Sequence, residues 1–261
     1  MARFLPQSAQ TLELLQATGT RLAAMMVAAE EPGMRIAELF YSIQGEGLLA
    51  GVPSAFIRTT GCPLRCVWCD SPHTSWQPEG QTWSLDALLA QVQTWPTRYV
   101  VVTGGEPVVA AGIDELCLTL RQHGYHITVE TAAVAFRPLA CDLASLSPKL
   151  SNSTPHAREG GRYALQHEER RLRPEVIRAF MEHTAYQLKF VVEQPSDLRE
   201  ILALLEKLPP VDPQRVLLMP QGITSEQLQS RGPWLVELCK QHGFRYCPRL
   251  HIELYGNRRG T

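Results

Sequence analysis

Three cysteines stand close together in the stretch GCPLRCVWCD. Cys62, Cys66 and Cys69 follow a C-x3-C-x2-C spacing, and Trp68 directly precedes the third cysteine. Thiolate ligands suit zinc, copper(I) and iron–sulfur clusters. Structural zinc needs a fourth protein ligand, for which His73 is the candidate. A [4Fe–4S] cluster held by three cysteines would instead leave one iron open to an exogenous ligand.

Composition narrows the class of protein. The chain has 261 residues, a net charge of -1 and a pI near 6.7, which gives no general reason to expect nucleic-acid binding. No apolar run approaches the ~20 residues that span a bilayer, and the N-terminus lacks the features of a signal peptide. Seven cysteines cannot all pair within one chain. We therefore expect reduced cysteines and a cytoplasmic protein without a membrane partner.

Short apolar runs alternate with helical patterns from residue 34 onward. Strands are predicted at 54–61, 98–105, 125–131, 142–149, 186–193 and 214–222. Helices are predicted at 84–95, 112–124, 174–184, 196–208 and 224–242, with Ser84, Ser196 and Thr224 at their starts and a break at Gly232 and Pro233. This alternation indicates βαβ units and a parallel sheet. About six strands are too few for a closed barrel, so an open, partial barrel or a doubly wound sheet is expected.

Two segments stand apart from this pattern. Residues 1–33 carry apolar residues at helical spacing, which predicts a helical extension to a domain formed by residues 34–261. Residues 151–173 are polar, charged and without clear periodicity. A segment of that length is either functional, for example a mobile lid, or a solvated insertion.

Several short motifs fall where predicted strands end. They are TGGEP at 103–107, VET at 129–131, SPK at 147–149 and MPQG at 219–222. Ligands of parallel sheets bind beyond the carboxyl ends of the strands. Each motif alone is also compatible with an ordinary turn or a surface charge.

The cysteine spacing with its preceding tryptophan resembles the cluster motif of the radical S-adenosylmethionine (SAM) enzymes, and TGGEP resembles their GGEP motif. The resemblance implies a [4Fe–4S] cluster and SAM as cofactors. SAM would bind the open iron and give a 5′-deoxyadenosyl radical after one-electron reduction. The implied SAM-binding residues are Trp68, Asp70, Gly105, Glu106, Glu130, Ser147, Pro148, Lys149, Met219, Pro220, Gln221 and Gly222.

A narrower resemblance covers residues 34–261. QGEG, FIRTTGCP, CVWCDS, LKFVV and LHIELYGNRRG together resemble the 7-carboxy-7-deazaguanine synthase family. This implies ring contraction of 6-carboxy-5,6,7,8-tetrahydropterin with loss of ammonia, in queuosine and 7-deazapurine biosynthesis, without a protein acid or base. It also implies Mg2+ bound by Ser71, a homodimer, and an electron donor such as flavodoxin or ferredoxin. The implied substrate-binding residues are Ile43, Gln44, Gly45, Glu46, Arg58, Thr103 and His251.

The side-chain chemistry of these positions agrees with a polar, anionic heterocycle. Gln44 offers both a donor and an acceptor, and Arg58 can bind a carboxylate through two parallel hydrogen bonds. Simpler interpretations are a surface ion pair for Arg58, a strand-end residue for His251 and an outward-facing charge for Lys189. Where the family often carries a glycine, Ala132 and Ala133 follow the VET motif, which leaves that turn in doubt.

Two other functions remain open from the sequence. A radical SAM activase of a glycyl-radical enzyme would need the same cluster and GGEP motifs. A non-catalytic zinc module would use the three cysteines and His73.

Overall fold

A nine-stranded sheet organises the chain, and the computed structural model describes residues 33–261. The strands are β1 (Met34–Ile43), β2 (Pro53–Thr59), β3 (Gln81–Trp83), β4 (Tyr99–Gly104), β5 (His126–Thr131), β6 (Leu143–Leu146), β7 (Tyr186–Val192), β8 (Val216–Pro220) and β9 (Arg245–Tyr246). Their order in the sheet is β3-β1-β2-β4-β5-β6-β7-β8-β9. From β2 to β9 neighbouring strands are parallel, whereas β1 is antiparallel to both β2 and β3. The helix expected within residues 1–33 lies outside the described residues.

The six predicted strands are confirmed as β2 and β4 to β8, and the sheet is open as expected. The count of about six is nevertheless too low. Strand β1 precedes the first predicted strand, at 54–61, and pairs along the length of β2. Strands β3 and β9 have three and two residues, which is too short for a period of two to be visible.

In the described part of the chain, seven α-helices lie between or after the strands. They are α1 (Leu85–Gln93), α2 (Ile113–Gln122), α3 (Ala164–Arg170), α4 (Pro174–His183), α5 (Leu198–Leu205), α6 (Ser225–His242) and α7 (Leu250–Tyr255). Two predicted N-caps are confirmed: the hydroxyl of Ser84 accepts from the Ala87 amide at 3.2 Å, and that of Thr224 accepts from the Gln227 amide at 3.3 Å. These bonds satisfy amides that the first turn leaves free.

Two helix predictions were wrong. Ser196 does not cap α5, because a 3-10 turn, Pro195–Asp197, comes first and the Asp197 carboxylate accepts from the amides of the preceding turn. Helix α6 runs without a break through Pro233. Its buried face, which includes Leu228 and Leu235, packs on the sheet and outweighs the one hydrogen bond that proline removes.

The polar segment 151–173 is structured. It forms 3-10 turns at Ser151–Ser153 and Arg158–Gly161, and then helix α3. His167 of α3 is only 1% exposed and contacts the cysteine loop. The polar residues of segment 151–173 therefore make contacts within the folded domain. This explains why the segment lacks a periodic pattern of apolar residues.

Both faces of the central sheet are covered. Every residue of β7 and of β8 is buried, as expected for parallel strands that are covered on both faces. This packing fixes the carboxyl ends of the strands along one edge, where the site lies. Within residues 33–261, no helix is both long and apolar enough to cross a bilayer.

Candidate active site

A cavity of about 430 Å³ opens at the carboxyl ends of the strands. It brings together predicted residues from distant parts of the chain. Those lining it are Ile43, Gln44, Gly45, Glu46, Arg58, Cys62, Cys66, Trp68, Cys69, Asp70, Ser71, Thr103, Gly105, Glu130, Ser147, Lys149, Met219 and His251. Five predicted residues do not line it: Glu106, Pro148, Pro220, Gln221 and Gly222.

The three cysteines lie on one loop at the cavity wall. Cys66 is buried, and Cys62 and Cys69 are half-buried. Burial raises the pKa of the Cys66 thiol to about 12, and it also raises the pKa of Cys62 and of Cys69. Such thiols stay protonated until a metal binds and stabilises the thiolate. Their environment therefore favours a metal-ligand role over free thiol chemistry.

The loop does not form a mononuclear zinc site. His73 Nε2 lies 3.2 Å from a Glu38 carboxylate oxygen, so this ring nitrogen already has a partner. Among residues 33–261, no three His, Cys, Asp or Glu side chains converge closely enough to hold one ion. Three separated thiols facing a cavity instead fit three corners of an iron–sulfur cube, with the fourth corner left to a small molecule.

The GGEP turn is locked against the start of the cysteine loop. The Gly105 amide donates to the Thr59 carbonyl at 3.1 Å, and the Glu106 amide donates to the Gly61 carbonyl at 2.9 Å. A Cβ at position 105 would lie 2.1 Å from the Gly61 carbonyl oxygen. Only glycine allows the two backbones to approach this closely.

Glu106 lies behind this turn rather than at the cavity surface. Its carboxylate accepts from the Thr131 hydroxyl at 2.6 Å and from the Ala132 amide at 2.8 Å. Burial raises its pKa, while these hydrogen bonds act in the opposite direction. The observed role of Glu106 is to tie the end of β4 to the end of β5. That Glu106 contacts SAM, as the sequence resemblance implies, stays a prediction.

The other predicted SAM-binding residues also fall into two groups: some line the cavity, and some lie behind its wall. Trp68 packs against Val191 and Met219 and forms a flat apolar wall. The Lys149 ammonium donates to the carbonyl and the hydroxyl of Ser147, each at 2.8 Å, and lines the cavity as a cation. Four other predicted residues lie next to lining residues in the sequence but do not line the cavity themselves: Pro148, Pro220, Gln221 and Gly222. The carbonyls of the last two accept from Arg231 and Arg249.

A network of ion pairs also lines the cavity. The Glu46 carboxylate accepts from the Lys189 ammonium and from Arg249 Nε at 3.0 Å, and Arg249 also pairs with Asp70. Burial opposes ionisation of Glu46, but the two cations outweigh it and hold the pKa of Glu46 well below its usual range. Burial likewise works against the Lys189 ammonium, but Glu46 outweighs it and raises the pKa of Lys189.

Sequence reasoning missed two members of this network. Lys189 is 4% exposed and Arg249 is 6% exposed. The interpretation of Lys189 as outward-facing was wrong, because β7 is buried on both faces. A charged residue inside a continuous apolar run was the available signal, since such a charge needs a partner. Arg249 had no such signal, because its partners lie far away in the sequence.

Glu130 connects the network to the predicted substrate residues. Its two carboxylate oxygens accept from Gln44 Nε2 at 3.1 Å and from the Thr103 hydroxyl at 2.9 Å, and Lys189 Nζ lies 3.9 Å away. The three predicted residues Gln44, Thr103 and Glu130 thus form one hydrogen-bonded group. Glu130 thus holds the Gln44 and Thr103 side chains in place at the cavity wall.

Arg58 lies at the cavity rim with its predicted neighbours. Its Nε is 2.6 Å from a Glu38 carboxylate oxygen, and its Nη1 donates to the Ser71 hydroxyl at 3.4 Å. Ser71 donates in turn to Asp70 at 3.1 Å. The guanidinium is therefore oriented, but its carboxylate partner is Glu38, which the sequence did not indicate.

His251 belongs to helix α7 rather than to a strand end. Its Nε2 lies 3.9 Å from a Glu46 carboxylate oxygen. A Cβ at Gly45 would lie 2.0 Å from His251 Nδ1, so the QGEG backbone and this ring are in close contact. Burial lowers the pKa of His251, and Glu46 acts in the opposite direction.

The fold and the three-thiol cavity define a radical SAM enzyme. Residues 56–154 match the family model described as the radical SAM superfamily. A 7-carboxy-7-deazaguanine synthase of Rhodopirellula baltica is 45% identical over 89% of this chain and 91% of its own length. A synthase of the same name from Halobacterium salinarum is 44% identical over 87% and 92%. The chain belongs to the 7-carboxy-7-deazaguanine synthase family.

A solved structure agrees with this assignment. The crystal structure of QueE from Escherichia coli has a TM-score of 0.62 and 26% identity, and the match covers 85% of this chain and 96% of that one. Both resemblances noted in the sequence are confirmed. The activase and zinc-module alternatives find no support in these comparisons.

Proposed function

We propose that the chain converts 6-carboxy-5,6,7,8-tetrahydropterin to 7-carboxy-7-deazaguanine with release of ammonia, in queuosine or 7-deazapurine biosynthesis. One observation carries the proposal. A three-cysteine loop and a set of polar residues suited to a pterin line the same cavity. A generic radical SAM activase would need the first feature but not the second.

The cysteine loop fits the cofactors. Cys62, Cys66 and Cys69 would hold a [4Fe–4S] cluster, which with bound SAM supplies a carbon-centred radical that abstracts hydrogen from the substrate. The Trp68 ring offers an apolar face, and Lys149 offers a cation to a carboxylate. Among residues 33–261, these three are the cysteines that line the cavity, which agrees with a free corner for SAM.

The polar wall would hold the substrate. Gln44, oriented by Glu130, can pair with the amide edge of a pterin through a donor and an acceptor. Glu46 is held ionised by two cations, and its free lone pairs can accept from guanidine-like N–H groups. Arg58 can meet the substrate carboxylate, which would compete with Glu38 for the guanidinium.

A magnesium ion would bind at Ser71. The Ser71 hydroxyl and the adjoining Asp70 carboxylate lie 3.1 Å apart at the cavity wall. Burial opposes ionisation of Asp70, but Arg249 outweighs it and lowers the pKa of this carboxylate. Mg2+ binds oxygen ligands and keeps several waters, so one or two protein oxygens are enough.

Turnover by reconstituted protein tests the proposal. Protein rebuilt anaerobically with iron and sulfide is mixed with the carboxytetrahydropterin, SAM, Mg2+ and dithionite, and 7-carboxy-7-deazaguanine is measured by mass spectrometry. Arg58→Lys should raise the KM for substrate about ten-fold or more with cluster content unchanged, because lysine cannot form two parallel bonds to a carboxylate. Arg35→Lys is the matched control, since Arg35 is an exposed arginine on β1. Absence of product from cluster-loaded wild-type protein would refute the proposal.

Three further proposals follow from the family and the sequence. Residues 1–33 would form an extension to the enzymatic domain of residues 34–261. The protein would work as a homodimer, which light scattering of the full chain can measure. A small redox protein of the reducing cytoplasm, a flavodoxin or a ferredoxin, would supply the electron.

A further inference from the structure

Segment 151–173 lies against two parts of the candidate active site. It begins two residues after Lys149 of the SPK motif, and it packs on the cysteine loop. The Val67 amide donates to the Ser153 carbonyl at 2.8 Å, and the indole of Trp68 donates to the Asn152 carbonyl at 3.0 Å. Among the described residues that line the cavity, none belongs to this segment. The segment therefore acts on the site from behind.

His167 of α3 joins the cysteine loop to the residue that follows Lys149. Its side chain is buried, and Nδ1 accepts from the Arg65 amide at 3.1 Å, so the neutral ring carries its proton on Nε2. Nε2 lies 2.8 Å from the Ser153 hydroxyl, which in turn donates to the Leu150 carbonyl at 2.6 Å. A continuous chain of hydrogen bonds therefore runs from the cysteine loop to Leu150.

Arg171 holds the backbone of Lys149 on both sides. The Lys149 amide donates to the Arg171 carbonyl at 3.0 Å, and the Arg171 guanidinium donates to the Lys149 carbonyl at 3.1 Å. The guanidinium also pairs with Glu168, 2.7 Å from Nε, and with Glu200 of α5. Two carboxylates thus orient the guanidinium that binds Lys149, and its planar group of donors suits several such bonds at once.

Both sets of contacts come from one turn of helix. His167 and Arg171 are four residues apart, so their side chains lie on the same side of α3. The Arg171 amide donates to the His167 carbonyl at 2.9 Å. Helical hydrogen bonds of this kind keep the two residues at a fixed separation. The position of the cysteine loop relative to Lys149 is therefore set by α3.

We propose that His167 and Arg171 are positioning residues for SAM. The inference rests on the proposed function, in which a cluster on the cysteine loop and the Lys149 ammonium both contact SAM. A ligand that bridges two groups binds tightly only where those groups are held at the right separation. Neither residue lines the cavity, so each acts through the part of the site that it holds.

The predicted substrate residues are held by other groups. Glu130 accepts from Gln44 and Thr103, and Arg58 pairs with Glu38. A disturbance of α3 should therefore weaken SAM binding and leave pterin binding unchanged. A residue that only stabilises the fold would not separate the two ligands in this way.

Arg171→Lys is the first test. Lysine keeps the charge but cannot contact Glu168, Glu200 and the Lys149 carbonyl in one plane. The KM for SAM in product formation and the Kd for SAM by anaerobic equilibrium dialysis should both rise about ten-fold, because a charge-assisted hydrogen bond from the Lys149 ammonium is weakened. The pterin KM and the iron content should stay at wild-type values. Arg178→Lys, at an exposed position on α4, makes the same change and should behave as wild type.

Two substitutions at His167 separate its two hydrogen bonds. Asparagine places an amide oxygen where Nδ1 stands and can still accept from the Arg65 amide, whereas glutamine reaches only the position of Nε2. His167→Gln should therefore raise the Kd for SAM, and His167→Asn should stay close to wild type, because α3 remains bonded to the loop. Hydrogen exchange of the full chain gives an independent readout by mass spectrometry. The peptide that contains residues 62–69 should exchange faster in His167→Gln than in His167→Asn.

Binding and turnover distinguish this inference from the proposed function. Wild-type protein that binds SAM but forms no deazaguanine would overturn the function, while the Kd values would still test the positioning residues. A wild-type Kd for SAM in both Arg171→Lys and His167→Gln would overturn the inference, and so would an equal rise in the pterin KM. If Arg171→Lys loses iron, Glu200→Gln decides by the same Kd, because it weakens the hold on the guanidinium and leaves Arg171 in place.

Discussion

Breaking the buried Lys189–Glu46 pair tests the electrostatics of the site most directly. Lys189→Met removes the ammonium from a position that is 4% exposed. Glu46 then keeps only Arg249, 3.0 Å away, and Arg249 already pairs with Asp70. Removing one partner of a buried pair costs about 3–5 kcal/mol. We expect about 3 kcal/mol, the low end, because one cation remains on Glu46.

A double-mutant cycle separates pairing from packing. Glu46→Gln should destabilise as well, since it leaves Lys189 with only Glu130, 3.9 Å away. The variant with both substitutions buries no unpaired charge at these positions and should recover about 2 kcal/mol relative to the sum of the single changes. The assay is anaerobic unfolding in guanidinium chloride, followed by tryptophan fluorescence.

The pH dependence gives a second check on the same pair. Because the folded pKa of Glu46 lies well below its unfolded value of about 4.3, the stabilisation is present above that value and is lost as the pH falls toward the folded pKa. Lys189→Met raises the folded pKa of Glu46, so its deficit relative to wild type should be constant near neutral pH and shrink as the pH falls through about 4.3 toward the folded pKa of wild-type Glu46. Strictly additive single mutants with a pH-independent deficit would refute the electrostatic explanation.

Three further perturbations test other parts of the molecule. His73→Ala should keep the iron and sulfide content of the reconstituted protein, since His73 contacts Glu38; loss of metal would revive the zinc module. Ala133 has a φ of 56°, which costs roughly 1–2 kcal/mol. Ala133→Gly relieves this strain but loses a buried methyl group, so thermal unfolding should show a change within about 1 kcal/mol, and Ala133→Val should destabilise clearly more. Burial lowers the pKa of His167 to about 4 from an unfolded 6.5, so apoprotein stability should fall by roughly 3 kcal/mol as the pH drops through that window, and His167→Asn should flatten the slope.

The strands of the central sheet could be predicted because the apolar pattern that identifies each strand lies within its own sequence. Each of β4, β7 and β8 is an apolar run bounded by turn residues, as burial on both faces requires. Strands β3 and β9 carry no such signal, because pairing with a neighbouring strand defines them rather than composition. Proline usually ends or kinks a helix, but helix α6 continues through Pro233 because its packing on the sheet outweighs the effect of the proline.

Site residues on short motifs were predicted, whereas their partners were not. The cysteines, Gln44 and Arg58 lie in recognisable stretches and reach the cavity. The partner of Glu46 is Arg249, which is 203 positions away in the chain. Only the folded sheet shows that pairing. Glu106 is the converse case, because its motif was recognised but its side chain turns into the core.

One guanidinium joins the two halves of the site. Asp70 directly follows the third cysteine, Glu46 lies in the QGEG segment, and Arg249 pairs with both. The cysteine loop and the QGEG segment therefore cannot shift independently without breaking an ion pair of Arg249, whose side chain is 6% exposed. Radical chemistry needs the reacting atoms held in a fixed relation, since small displacements of positioned groups have large effects on rate. The ion network holds the cysteine loop and the QGEG segment in fixed positions before any ligand binds, because its charged groups orient one another.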